Sequence, residues 1–236
     1  MANMLHCLIY RFTRSRAVWW VVLLFLGLTM MATPPTVDWA TDPSLGDVLQ
    51  KSPMFQVLYM VTAIWAAKFF GEFEKDRLLY SMLNGKEGRG AYTSAAVAMI
   101  MLVALTLLTL GLVAVGAWSA LSGGTEASFD FGAVFLRYLY GFLVAVAFAM
   151  VSVFIGSLAS GESAWSLGIA VAALLSSGLL QLFVLWGLAM IDPMVLSVSD
   201  AQTMSPIHPW RFVGAILFIV LSAVGFTVRM RRKELG

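Results

Sequence analysis

The stretch KFFGEFEKDRLLYSMLNGKEGR, residues 68–89, decides how the rest of the chain is read. It is the only long charged segment between two apolar runs, and it holds Lys68, Glu72, Glu74, Lys75, Asp76, Arg77, Lys86, Glu87 and Arg89. Charge this dense is too costly for hydrocarbon, so the segment belongs in water or at a membrane surface. From Glu72, a 3.6-residue period sets Glu74, Arg77, Ser81 and Asn84 on one side of a helix. Phe73, Leu78, Leu79, Tyr80, Met82 and Leu83 cover most of the other, with Lys75 and Asp76 interrupting. Glu72 with Lys75, and Glu74 with Arg77, stand i,i+3 and can pair, each pair contributing only a few tenths of a kcal/mol. Gly85 reads as a helix stop, and Gly88 and Gly90 as a loosening of the chain before the next apolar run. The expectation is a short amphipathic helix over 72–84, either anchoring a loop or docking a partner.

Outside this stretch the chain is apolar. Of 236 residues 60% are hydrophobic and only 12% charged, about half the charge of a soluble domain. Polar stretches of about 20 residues are too short for a second, soluble core. The composition predicts an all-α polytopic membrane protein, a single transmembrane domain over residues 1–236. Apolar runs give six spans, at about 17–33, 54–71, 91–117, 133–157, 164–191 and 211–228, each near the ~20 residues a bilayer requires. Before the first lies a basic stretch with Arg11, Arg14 and Arg16, in which Leu5, Leu8, Ile9 and Phe12 recur at helical spacing. It reads as an amphipathic helix lying on the membrane. The first span reads as retained, because Met30 stands where a signal-peptide cleavage site requires a small residue.

Lysine and arginine set the orientation. With both termini inside, twelve fall on inner segments and only Lys51, Arg137 and Arg211 on outer ones. That puts the charged segment, about 72–90, in the cytoplasm between spans two and three. In span four, Gly141, Ala145 and Ala149, then Ser152, Gly156 and Ser160, recur at four-residue intervals, which predicts a close-packing face.

Chemistry is sparse. There is no GxxxxGK[ST] phosphate loop and no HExxH motif, and His6 and His208 fall on opposite sides of the membrane. The lone Cys7 excludes an internal disulfide and a cysteine-based zinc site. Ser157, Ser176 and Ser177 have no basic partner at their depth, so no catalytic residues are assigned and no enzyme activity is expected of this chain. Ion coupling usually requires an ionisable group at mid-span, and the interior polar residues here are Thr62, Thr106, Thr109, Ser152, Ser176, Ser177 and Gln181. Energy for any transport must then come from a cytoplasmic partner. No span has a polar face wide enough to line a wet pore, which disfavours a channel. Nothing points to nucleic acid.

Six spans with both ends inside, a basic amphipathic lead-in and FFGEFEKDRLLYSMLNGKEGRGAY between spans two and three resemble the ABC-2 type permeases, the membrane subunits of ABC exporters. In that family an acidic residue ends span two, an amphipathic helix with leucines follows, and an arginine precedes span three. Here Glu72 or Glu74 matches the acid, Leu78, Leu79 and Leu83 the leucines, and Arg89 the arginine. MSPIHPW before span six resembles the family's external turn, and RMRRKEL its basic tail. The Gly-Thr that usually follows the acid is replaced by Lys75-Asp76-Arg77, and glycine stands before Arg89 in place of serine.

The resemblance implies a permease subunit in a bacterial cell membrane. It would pair with a second one, identical or paralogous, above ATP-binding cassette subunits that bind ATP and magnesium; this chain would hold no cofactor and no metal. Residues 72–84 would be the coupling helix. Phe73, Leu79, Met82 and Leu83 would supply its apolar contacts, and Glu72, Glu74, Arg77 and Arg89 its polar marks. Spans two and five face the dimer axis in related exporters, which makes Thr62, Ser177 and Gln181 candidate pathway residues. The apolar interior fits an amphiphilic or hydrophobic cargo, such as an antimicrobial peptide, a drug or a lipid, in the manner of antimicrobial-peptide resistance exporters. The competing expectation is a non-transporting scaffold or accessory subunit that docks a cytoplasmic partner.

Overall fold

The computed structural model describes residues 2–32, 54–75, 86–121, 131–158, 168, 170 and 209–232. Among them are six helices and no strands: α1 Ala2–Arg14, α2 Arg16–Ala32, α3 Met54–Lys75, α4 Lys86–Leu121, α5 Phe131–Leu158 and α6 Pro209–Arg232. Helix is the expected form for long apolar runs, since it satisfies every backbone group within the segment. Four stretches are long and apolar enough to cross a membrane: Met54–Glu72, Gly90–Trp118, Val134–Leu158 and Phe212–Met230. The pair α1–α2, bent by 68°, makes a fifth if taken as one span. This is the make-up of a multi-pass membrane protein.

The helices from α3 onward each outrun the span read for them, whereas α2 ends one residue short of it. α3 continues through Gly71 and Glu72 to Lys75, so the first turn of the expected 72–84 helix is the end of the span-two helix. α4 begins at Lys86, with Gly88 and Gly90 inside it, which corrects their reading as a loosening of the chain. Most of the remaining coupling segment, residues 76–85, lies outside the described residues, as does the fifth span apart from Gly168 and Ala170.

α3 is the central helix. Two-thirds of its span window (67%) is buried, against 17% for α6. It packs on α2, α4 and above all α5, which in turn carries α6. The small-residue face predicted on span four is the face used: Gly141, Ala145, Ala149, Ser152 and Gly156 are all buried. Gly141 lies directly against the Phe55 ring, which leaves no room for a Cβ. Close backbone approach is what holds helices together where the hydrophobic effect does not act between them.

Contacts give the directions of the helices. Phe55 lies against Gly141, and the rings of Tyr59 and Phe148 are 5.6 Å apart, so α3 and α5 run parallel. Tyr140 meets Phe212 at 5.6 Å while Arg229 reaches Ser157, so α5 and α6 are parallel too. Met54 and Phe25 both border Gly111, and Phe70 neighbours Tyr92, so α2 and α4 run the other way. One end of the bundle therefore collects Arg11, Arg14, Lys68, Lys75, Lys86 and Arg229; it is called the basic end below. Arg137 lies near the far end. α5 finishes at the basic end, whereas α6 starts at the far end.

At the basic end, the Arg229 Nε donates to the Ser157 carbonyl at 3.3 Å and its Nη2 to that of Leu158 at 3.5 Å. A cation on the last carbonyls of a helix is favoured by the helix dipole. Arg229→Gln is expected to cost about 1 kcal/mol, read as a lower unfolding midpoint in detergent.

Candidate functional site

The basic end is tied together by rings. Trp65 and Phe69 stand one helical turn apart on α3 and stack at 5.4 Å, and Phe70 meets Phe69 edge-on at 5.3 Å. From α1, Phe12 sits edge-on to Trp65 at 5.2 Å and to Phe69 at 6.1 Å. From α4, Tyr92 approaches Phe70 at 6.4 Å, and from α6, Phe226 approaches Tyr92 at 6.0 Å. These separations are those of favourable aromatic pairs. A hydrogen bond from the Thr227 hydroxyl to Thr93 at 3.1 Å joins α6 to α4 at the same level. The result is a collar of aromatic side chains from four helices. It stands where the chain leaves α3 at Lys75 and re-enters the bundle at Lys86.

The collar shows what the apolar face of the lead-in packs against. α1 is amphipathic, as its spacing predicts, but its apolar face lies on the bundle. Leu8 is fully buried, and Met4, Leu5, Ile9 and Phe12 pack against the core. Nothing in the sequence marks the rest of the collar. Spans that are apolar all round do not reveal which of their aromatics face protein and which face lipid.

The predicted site residues divide by place. Glu72 is exposed on the last turns of α3 and pairs with Lys68 at 4.0 Å, an exposed i,i+4 contact of little energetic weight. Phe73 and Glu74 belong to the final turn of α3, and Arg89 to the first turns of α4; their side chains are outside the described set. Arg77, Leu79, Met82 and Leu83 lie outside the described residues, as do Ser177 and Gln181. Among the described residues no group of three or more His, Cys, Asp or Glu side chains is placed to hold a metal.

Thr62 is described in full. It is completely buried, and its hydroxyl donates to the Leu58 carbonyl of its own helix at 2.6 Å. That internal bond satisfies the hydroxyl without a neighbour. Thr106 and Thr109 do the same on α4, donating to Leu102 and Leu105 at 2.8 Å, and Thr109 also meets the Tyr138 hydroxyl at 2.8 Å. The polar atoms that stand out are others. The Tyr59 hydroxyl, the Ser152 hydroxyl and the Trp65 indole N–H are buried with no hydrogen-bond partner among the described residues. Tyr59 and Ser152 belong to the two parallel helices at the centre of the bundle. Unmet polar groups in such a place carry a desolvation cost and favour any acceptor that reaches them.

No protein-family model, curated protein or solved structure matches this chain.

Proposed function

We propose that the chain is the membrane permease subunit of an ABC-2 type exporter. In this reading it crosses a bacterial cell membrane six times with both termini cytoplasmic. It moves an amphiphilic or hydrophobic cargo, with ATP and magnesium held by a separate ATP-binding subunit. The observation that carries the reading is the collar. The charged segment hangs between the ends of α3 and α4, and those ends are joined through rings to α1 and α6. A push on the segment from a docked ATPase would reach four helices at once.

Three further observations support it. The basic end gathers the arginines and lysines that the positive-inside rule assigns to the cytoplasm. α5 ends at the basic end and α6 begins at the far end, so one further crossing between them gives an even total. Among the described residues, no Asp, Glu, Lys, Arg or His lies in the middle of a span, which leaves an external source of energy as the simplest one. A second reading, the non-transporting scaffold, is favoured by one observation: Thr62 is sealed between helices with its hydroxyl already satisfied.

Co-purification separates the two. The tagged chain is extracted in mild detergent, with Leu79→Asp and Leu83→Asp variants alongside. The expected result is a nucleotide-binding protein retained by the parent chain and depleted at least tenfold in either variant, since a charge buried in an apolar docking groove costs well over ~1.4 kcal/mol. Absence of any nucleotide-binding partner, or undiminished retention by both variants, defeats the exporter reading.

A further inference from the structure

α1 has a second face. With Leu8 and Phe12 turned to the core, His6, Tyr10, Thr13 and Arg14 are exposed. Arg14 does not swing freely there. It donates from Nη1 to the Tyr10 hydroxyl, and its guanidinium carbon stands 5.8 Å from the centre of the Tyr10 ring. The Thr13 hydroxyl donates back to the Tyr10 carbonyl at 3.1 Å. A guanidinium has five N–H donors, and Tyr10 takes one. Holding the group in place lowers the ordering cost of using the others.

What adjoins this face is apolar. Just past the bend, Trp19 and Trp20 are 68% and 71% exposed. Trp20 continues at four-residue spacing into exposed Leu24 and Leu28. That stripe is apolar and exposed, as a lipid-facing one is, and tryptophan at the end of such a stripe is the usual marker of headgroup level. On that reading Arg14, six residues before Trp20, falls at the level of lipid phosphates. No Asp or Glu occurs before Asp38, so no acid of the same segment competes for it.

We infer that the outer face of α1, with Arg14 held by Tyr10, binds the phosphate of an anionic phospholipid headgroup. Pairing of Arg14 with the carboxylates of an acidic protein partner is the alternative. The lipid is preferred because exposed apolar residues, Trp19, Trp20, Leu24 and Leu28, follow Arg14 directly along the chain. Through Phe12, on the opposite face of the same helix, headgroup binding is in direct contact with Trp65 and Phe69 of the collar. The inference does not rest on the exporter reading, and its test uses this chain alone.

The test is native mass spectrometry of the full chain, delipidated in detergent and titrated with phosphatidylglycerol or phosphatidylcholine. Wild type is expected to prefer phosphatidylglycerol. Arg14→Gln should weaken its binding about fivefold, the effect of one basic residue at an anionic surface, and leave phosphatidylcholine unchanged. Tyr10→Phe should weaken it by a smaller factor, about twofold, through loss of the bond that orients Arg14. Equal binding of the two lipids, or an Arg14→Gln variant with unaltered preference, overturns the assignment. So does displacement of the lipid by equimolar polyglutamate, which would mark an acidic protein site, or by millimolar inorganic phosphate, which would mark a simple anion site. Both substituted residues are exposed, so an unchanged unfolding midpoint is expected and confirms that folding is intact.

Discussion

Trp65→Ala lowers the unfolding free energy of the detergent-solubilised chain by about 3–5 kcal/mol, the largest loss expected from any single collar residue. Trp65 is only 4% exposed and touches Phe12, Phe69 and Phe70, which belong to two helices. Truncation leaves a cavity that three rings line and none can fill without giving up its own contacts. Trp65→Phe is the discriminating control. The indole N–H has no hydrogen-bond partner among the described residues, so replacing Trp65 by phenylalanine forfeits none of the bonds described. The loss should then stay below about 1.5 kcal/mol. Equal losses for the two variants would mean that the collar is not held by ring packing. A double-mutant cycle between Phe12→Ala and Trp65→Ala should return a coupling of about 1 kcal/mol, because these rings meet edge-on. A coupling near zero would detach α1 from the collar.

Such a collar is hard to read from a sequence. Hydropathy located four of the six expected spans, because the cost of polar backbone and charge in hydrocarbon is large and local. The run read as 133–157 is the helix Phe131–Leu158, and 211–228 is Pro209–Arg232. Helix ends were less legible. α3 and α4 carry on past the apolar run by a turn, since a charged helix is stable once neighbours hold its base. Glycine misled for the same reason: Gly88 and Gly90 loosen an isolated helix, but here they lie near the start of one 36 residues long. The four-residue rhythm of Gly141, Ala145 and Ala149 was informative, because small size matters only where backbones approach. Facing direction was not. Phe69, Tyr92 and Phe226 point inward while Trp19, Phe135 and Phe218 point outward, and nothing in their local composition separates the two sets. Thr62 was singled out for its polarity in an apolar span, but a threonine can satisfy itself on its own helix. Tyr59 and Ser152, which cannot be seen to lack partners without coordinates, are the more pointed polar groups.

Gly168→Val is expected to be the most damaging substitution of a glycine, with a loss of about 3 kcal/mol or more. A Cβ at Gly168 would lie 2.8 Å from the Ala67 Cβ, 3.1 Å from the Ser152 carbonyl oxygen and 3.5 Å from the Gly156 Cα. None of these is the tip of a flexible side chain. Ala67 belongs to α3 and Ser152 and Gly156 to α5, so relief requires the two helices to shift against residue 168. Gly141 is also crowded, but by the Phe55 ring, which can turn, so Gly141→Ala should cost less than Gly168→Ala. Gly90 gives the opposite sign. It is exposed on α4 with nothing within 4 Å of its Cβ position, so Gly90→Ala should stabilise the chain by about 0.5–1 kcal/mol through helix propensity. Unfolding midpoints of the four variants in one detergent test the ordering. A second-site change tests its cause: Ala67→Gly removes the nearest atom and should restore part of the stability of Gly168→Ala while costing the wild type about 1 kcal/mol. If Gly168→Ala is as benign as Gly90→Ala, residue 168 does not enter the contact between α3 and α5. The parallel central pair would then be held by direct contacts between α3 and α5, such as Gly141–Phe55 and Tyr59–Phe148.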